Sequence, residues 1–182
     1  LYKLILKQSS EFLKETLNEQ QRKFRKRSRP KILLATNLDD ALQMYTRYRN
    51  NLLGVISDVG FTVHKGDSAD MEKLDAGIDL VKHIKADNEK MPILLQSSQD
   101  SISAVAKELG VGFLRKYSKT LMLQLSDFIK EEFGFGDFVF RDANHVEYGR
   151  AANLKELEAI IREVPDEVLL YVTSKNMLSK WF

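Results

Sequence analysis

GVISDVGF, residues 54–61, carries an apolar run onto an aspartate and leaves it through a glycine. A strand that buries its length and delivers a carboxylate at its tip places charge on the rim of a sheet, where ligands of open α/β folds bind. Two later stretches repeat the pattern: PILLQSS, 92–98, ends on Ser97, and GFLRK, 112–116, ends on Lys116. Between them the spacing predicts helices over LDAGIDLVKHIKAD, over DSISAVAKELG stopped by Gly110, and over TLMLQLSDFIKEEFG stopped by Gly134. Upstream, KILLAT, 31–36, reads as a further strand buried on both faces, and Asn37 as the cap of a helix over LDDALQMYTRYRNN. Strand and helix thus alternate, which predicts a parallel sheet with helices on both faces. The polar stretch GFTVHKGDSADMEK, 60–73, is too long for a tight turn and is expected to be an inserted loop.

The 182 residues are 43% apolar and 30% charged, a globular balance with material for a sizeable core. A net charge of +2 leaves no global field that demands a polyanion. The absence of cysteine excludes a disulfide framework and thiolate metal sites, and His64, His83 and His145 lack the spacing of zinc ligands. With no 18-residue apolar run and no cleavable leader pattern, a cytoplasmic location without membrane partners is expected.

The N-terminal 26 residues place Leu1, Ile5, Phe12, Leu13 and Leu17 at helical spacing, predicting a long amphipathic helix. It runs into RKFRKRSRP, 22–30, read as a solvated helix end. Nucleic acid is not an expected partner, because only Phe24 interrupts the basic run and no recognition helix follows. After Gly136 the alternation breaks: FVFRD reads as a short strand, HVEYG as a turn, NLKELEAIIREV as a helix, and PDEVLLYVTSKNMLSKWF as an amphipathic segment opened by Pro165. A first domain over 1–135 and a small, mostly helical extension over 136–182 are expected. Both ends of the chain read as cut from a longer polypeptide.

Asp58, Ser97 and Lys116 would converge on one rim, and together they suit phosphoryl chemistry. A carboxylate can attack phosphorus to form an acyl phosphate, a hydroxyl can bond a phosphoryl oxygen, and an ammonium can neutralise another. The succession VISDVGF, GIDLVKHIK, MPILLQSS, GFLRKYS resembles the receiver domain of two-component response regulators over about residues 1–133. That resemblance implies a flavodoxin-like α/β fold and phosphorylation of Asp58 by a histidine kinase or a small phosphodonor, with Ser97 and Lys116 assisting. It implies Mg²⁺ held by Asp58 and the Gly60 carbonyl, and Phe113 as an aromatic switch. The implied chain is not itself an enzyme.

Departures from the family pattern accompany the likeness. The family's first strand and its metal-binding acidic pair would have to lie upstream of Leu1, so Mg²⁺ is expected to bind weakly without them; Asp39 and Asp40 open a later helix and do not substitute. The loop after Asp58 is long, and Tyr117 stands where a proline commonly follows the lysine. The basic first helix, LLGVISDVGF, LLQSS and the tail together are similar to the receiver-containing region of bacterial phosphoenolpyruvate synthase and pyruvate, phosphate dikinase-like proteins. This implies a downstream enzyme domain as partner, with a homodimer left open. The alternative is a pseudo-receiver, a phosphorylation-independent interaction module. A dehalogenase-type phosphatase is disfavoured, because its second aspartate would fall at Gly60.

Overall fold

The computed structural model describes residues 32–181; the expected first helix and the basic run at 22–29 lie outside them. Two compact units are present, one over Lys31–Phe128 and one from Ile129 onward, with the division inside a helix. The first unit contains α1 (Leu38–Tyr48), β1 (Val55–Asp58), α2 (Ala76–Asp87), β2 (Ile93–Ser97), α3 (Ser101–Glu108) and β3 (Gly112–Arg115), followed by α4 (Leu121–Glu132).

The strands form a parallel sheet in the order β1-β2-β3, so the expected α/β layering with a parallel sheet is present. Val55 lies opposite Ile93, Asp58 opposite Gln96, and Ser97 opposite Arg115. Successive side chains of a strand point to opposite faces. Ile93 and Leu95 accordingly enter one core with Tyr45, Leu80, Val81, Ile84 and Ala106, which brings α1, α2 and α3 against the sheet. Leu94 meets Gly112 on the other face, where Phe128 of α4 also packs.

Local chemistry explains the helix ends. The Asn37 side chain accepts the Asp40 N–H at 2.8 Å, the expected cap of α1. Gly110 (φ 64°) and Gly134 (φ 72°) take the left-handed conformation that stops α3 and α4. The far end of α2 is tied to α1: Tyr45 Oη donates to Asp87 Oδ2 at 2.7 Å, and Arg49 Nη1 donates to Oδ1 at 2.9 Å. Burial and the bond to the Asp87 carboxylate push the Tyr45 phenol up to about 12.

The strand expected at KILLAT is corrected. Residues 32–36 form no strand, and Ile32, Leu33 and Leu34 are 45%, 43% and 47% exposed. A buried strand needs a ladder partner, and among the described residues the outer edge of β1 is not paired with this segment. Only Asn37 makes an isolated parallel bridge, to Thr62.

The second unit is less helical than the sequence suggests. β4 (Phe138–Arg141) pairs antiparallel with β5 (Glu147–Ala151), so most of the expected turn HVEYG is strand. The turn lies earlier, where Asp142 Oδ1 accepts the N–H groups of Asn144 and Val146. α5 (Leu154–Ile161) is opened by Asn153, which accepts from Lys155 and Glu156, while Glu156 reaches back to the Ala152 N–H. The closing amphipathic segment is two helices, α6 (Asp166–Ser174) and α7 (Met177–Trp181), separated at Asn176 (φ 54°). Phe138, Phe140, Val168, Val172 and Trp181 share its core. Among the described residues no helix is long and apolar enough to cross a membrane.

Leu95 is fully buried in the central strand, so Leu95→Ala is expected to cost about 2–5 kcal/mol, read as a lowered urea midpoint by circular dichroism. Tyr45 supplies a pH test. Its pKa is raised above the unfolded value near 10, so its contribution is complete below about pH 10 and is lost as pH rises toward about 12. Spectrophotometric titration should show a phenol ionising near pH 12 that is absent from Tyr45→Phe.

Candidate functional site

The register fixes the geometry of the rim. Asp58 ends β1, Ser97 ends β2, and Lys116 follows directly on β3. The Lys116 N–H donates to the Ser97 carbonyl at 2.8 Å, extending the ladder one step past the strand and holding the lysine beside the serine. Lys116 Nζ lies 2.9 Å from Asp58 Oδ1. This oxygen is screened from solvent, and its contact with the Lys116 ammonium is an ion pair that leaves the carboxylate further lone pairs with which to accept. The two side chains as wholes are about one-third to two-fifths exposed (33% and 41%), which leaves the pair open to an incoming group.

The structure joins Asp58 and Lys116 directly, but it gives Ser97 a local role as well. Ser97 Oγ accepts the Gln99 N–H at 3.1 Å, bracing the turn into α3. A hydroxyl that accepts in this way keeps its own hydrogen to donate. Phe113 lies opposite Leu95 in β3 and packs against the first core, so its ring is on the inward side.

Two residues not assigned a role from the sequence shape the Asp58 backbone. Ser57 Oγ donates to the Asp58 carbonyl at 2.8 Å, and the Gly77 N–H donates to the Val59 carbonyl at 2.8 Å. A Cβ at Gly77 would stand 2.0 Å from the Asp58 carbonyl oxygen, so only glycine allows this approach. The available cue was a glycine in the first turn of a helix, where propensity disfavours it.

Gly60, two residues beyond Asp58, lies under the backbone of Lys73 and Leu74, where the long loop folds back and Phe61 pairs with Lys73. Among the described residues no three His, Cys, Asp or Glu side chains gather around a metal position. The residues nevertheless suit Mg²⁺ in part: Asp58 has a buried oxygen with spare acceptor capacity, and Mg²⁺ commonly combines one or two carboxylates with backbone, water and phosphate oxygens.

Around this rim lies an open cleft of about 390 Å³ lined by Ser98, Arg115, Lys116, Tyr117 and Ser118. Arg115 is paired with Asp100 at 3.2 Å. Tyr117 adopts φ 65° and is 91% exposed. The loop after Asp58 is pinned to the first turn of α1: the Leu38 N–H donates to the Thr62 carbonyl, and His64 Nδ1 lies 2.8 Å from Asp39 Oδ2. The bond to Asp39 and its charge raise the His64 pKa above its ordinary value.

No protein-family model, curated protein or solved structure matches the chain.

The His64 pairing gives a direct measurement. Proton NMR titration should place His64 above the ordinary histidine pKa, and Asp39→Asn should lower it. Loss of the bond to Asp39 is the cause of the expected change.

Proposed function

We propose that the chain is a flavodoxin-like receiver that accepts a phosphoryl group on Asp58. The observation that carries this reading is the Lys116–Asp58 ion pair at 2.9 Å on the carboxyl-end rim of a parallel sheet, with Ser97 at the end of the adjacent strand. An Asp58 carboxylate oxygen attacks the phosphorus of a phosphohistidine or acyl phosphate donor. The new O–P bond forms as the donor's P–N or P–O bond breaks, and the leaving imidazole or carboxylate takes the electron pair. Lys116 neutralises charge on the transferred group, and the Ser97 hydroxyl donates to one of its oxygens. Asp58 and the Gly60 carbonyl would hold Mg²⁺, which when bound offsets phosphoryl charge.

The resemblance to phosphoenolpyruvate synthase-like proteins extends this reading to regulation of an enzyme domain in the same polypeptide. The cognate state change is the addition of roughly −1.5 to −2 charge units at the rim, by analogy with other phosphorylated side chains. A second reading, the phosphorylation-independent pseudo-receiver, is favoured by a specific observation: the long loop folds back so that Phe61 pairs with Lys73 and the Lys73–Leu74 backbone lies against Gly60, the residue whose carbonyl would share in holding Mg²⁺. In that reading the rim is a finished structural joint, and the module acts through protein contacts alone.

Beryllium fluoride, a mimic of a carboxylate-bound phosphoryl group, separates the two. In the chain carried with its natural flanking residues, NMR should show saturable, Mg²⁺-dependent shifts at Asp58, Ser97 and Lys116, and Asp58→Asn should abolish them. Ser97→Ala and Lys116→Met should each weaken binding by about 10- to 100-fold, the range for hydrogen bonds to charged groups. A folded protein without any response would establish the pseudo-receiver.

A further inference from the structure

The most constrained contact at the rim lies behind the Asp58 carboxylate, on the main chain. Gly77 in the first turn of α2 sits so close to β1 that a Cβ would be 2.0 Å from the Asp58 carbonyl oxygen, 3.0 Å from its carbonyl carbon and 3.0 Å from Val59 Cα. Its N–H donates to the next carbonyl, that of Val59, at 2.8 Å. Ser57 Oγ donates to the Asp58 carbonyl at 2.8 Å. Helix and strand tip therefore meet backbone to backbone, with no side chain between them to absorb a displacement by changing rotamer.

The other end of α2 is also held. Its last residue, Asp87, receives Tyr45 Oη of α1 at 2.7 Å and Arg49, the residue directly after α1, at 2.9 Å. Tyr45 is only 4% exposed, and Leu80, Val81 and Ile84 of α2 share its core. A 12-residue helix spans about 18 Å, so α2 links the Asp58 tip to α1 as one rigid rod.

We propose that Gly77 is a positioning residue for Asp58 and that α2, clamped between the Asp58–Val59 backbone and α1, is the element that transmits the state of the Asp58 carboxylate. This rests on the reading of Asp58 as the phosphoryl acceptor. A charge change at Asp58 moves its peptide, the Gly77 contact moves the first turn of α2, and the Asp87 clamp moves the end of α1. A coupling of this kind requires a demonstrated response at both ends of the rod.

The test uses beryllium fluoride with Mg²⁺ on the wild-type chain in its natural polypeptide, read by amide NMR shifts. The expected result is saturable change at Asp58, at Gly77–Leu80 and at Tyr45–Arg49, all with one apparent affinity. Change confined to Asp58, Ser97 and Lys116 would overturn the transmission role while leaving the phosphoacceptor intact. No change anywhere in the folded protein would overturn the acceptor reading and the transmission role with it.

Two variants probe the ends separately. Tyr45→Phe combined with Arg49→Met should keep beryllium fluoride affinity within about twofold, yet lose the response at Thr46–Tyr48, because together they remove both bonds to Asp87 away from the acceptor. A retained response there would sink the proposed route. Gly77→Ala should bind at least about tenfold more weakly than wild type at equal folded fraction, and wild-type affinity in that variant would remove Gly77 from the positioning role.

Discussion

The parallel pairing of β2 with both of its neighbours is the constraint on which the first unit depends. β2 lends backbone groups to β1 on one edge and to β3 on the other, while Ile93 and Leu95 fill the core on one face and Leu94 is buried on the other. Such a strand cannot slip by one residue without turning Ile93 and Leu95 out of the core and Leu94 out of its buried position on the opposite face. The register therefore leaves one arrangement of the strand tips. Asp58 sits opposite Gln96, Ser97 follows one residue farther, and Lys116 is drawn in by its N–H bond to the Ser97 carbonyl. Apolar packing in the middle of the sheet thus sets the spacing of the polar groups at its rim.

Much of this was legible because local chemistry and tertiary packing agree. Apolar runs closed by Asp58, Ser97 and Lys116 are strands, and Asn37, Gly110 and Gly134 mark helix ends in the conformations those residue types favour, a capping side chain at Asn37 and a positive φ at the two glycines. The failures occur where the outcome depends on a neighbour. KILLAT has the composition of a buried strand, but composition does not supply a hydrogen-bonding edge, and Ile32, Leu33 and Leu34 stay exposed. β5 was hidden for the opposite reason. Glu147, Tyr148 and Arg150 are exposed, and only Ala151 on the strand is fully buried, so no apolar alternation marks it. Asn176 breaks α6 from α7 through a positive φ that a residue count at helical spacing does not register.

The candidate site could be nominated from residue types, but not its mechanics. Residue types at strand ends announced Asp58, Ser97 and Lys116, and the ion pair brings two of them together. The contribution of Gly77 was concealed because it consists of a missing side chain: the relevant information is the 2.0 Å that a Cβ would leave to the Asp58 carbonyl. Ser97 shows a second limit, since its strand-end position suggested a place at the rim, whereas its hydroxyl is seen serving the turn into α3. Tertiary proximity, and not residue identity, decides which of two plausible duties such a group performs.

Trp181 has an optical consequence. It is the sole tryptophan of the chain, and it is enclosed in the second core, with its ring edge-on to Phe138 and its Nε1–H donating to the Gly136 carbonyl at 2.8 Å. Excitation at the red edge of protein absorbance therefore interrogates the hairpin unit selectively, while the sheet that bears Asp58 remains dark at that wavelength. The molecule carries a built-in probe for one of its two units, and emission that holds steady through an unfolding transition would assign that transition to the other.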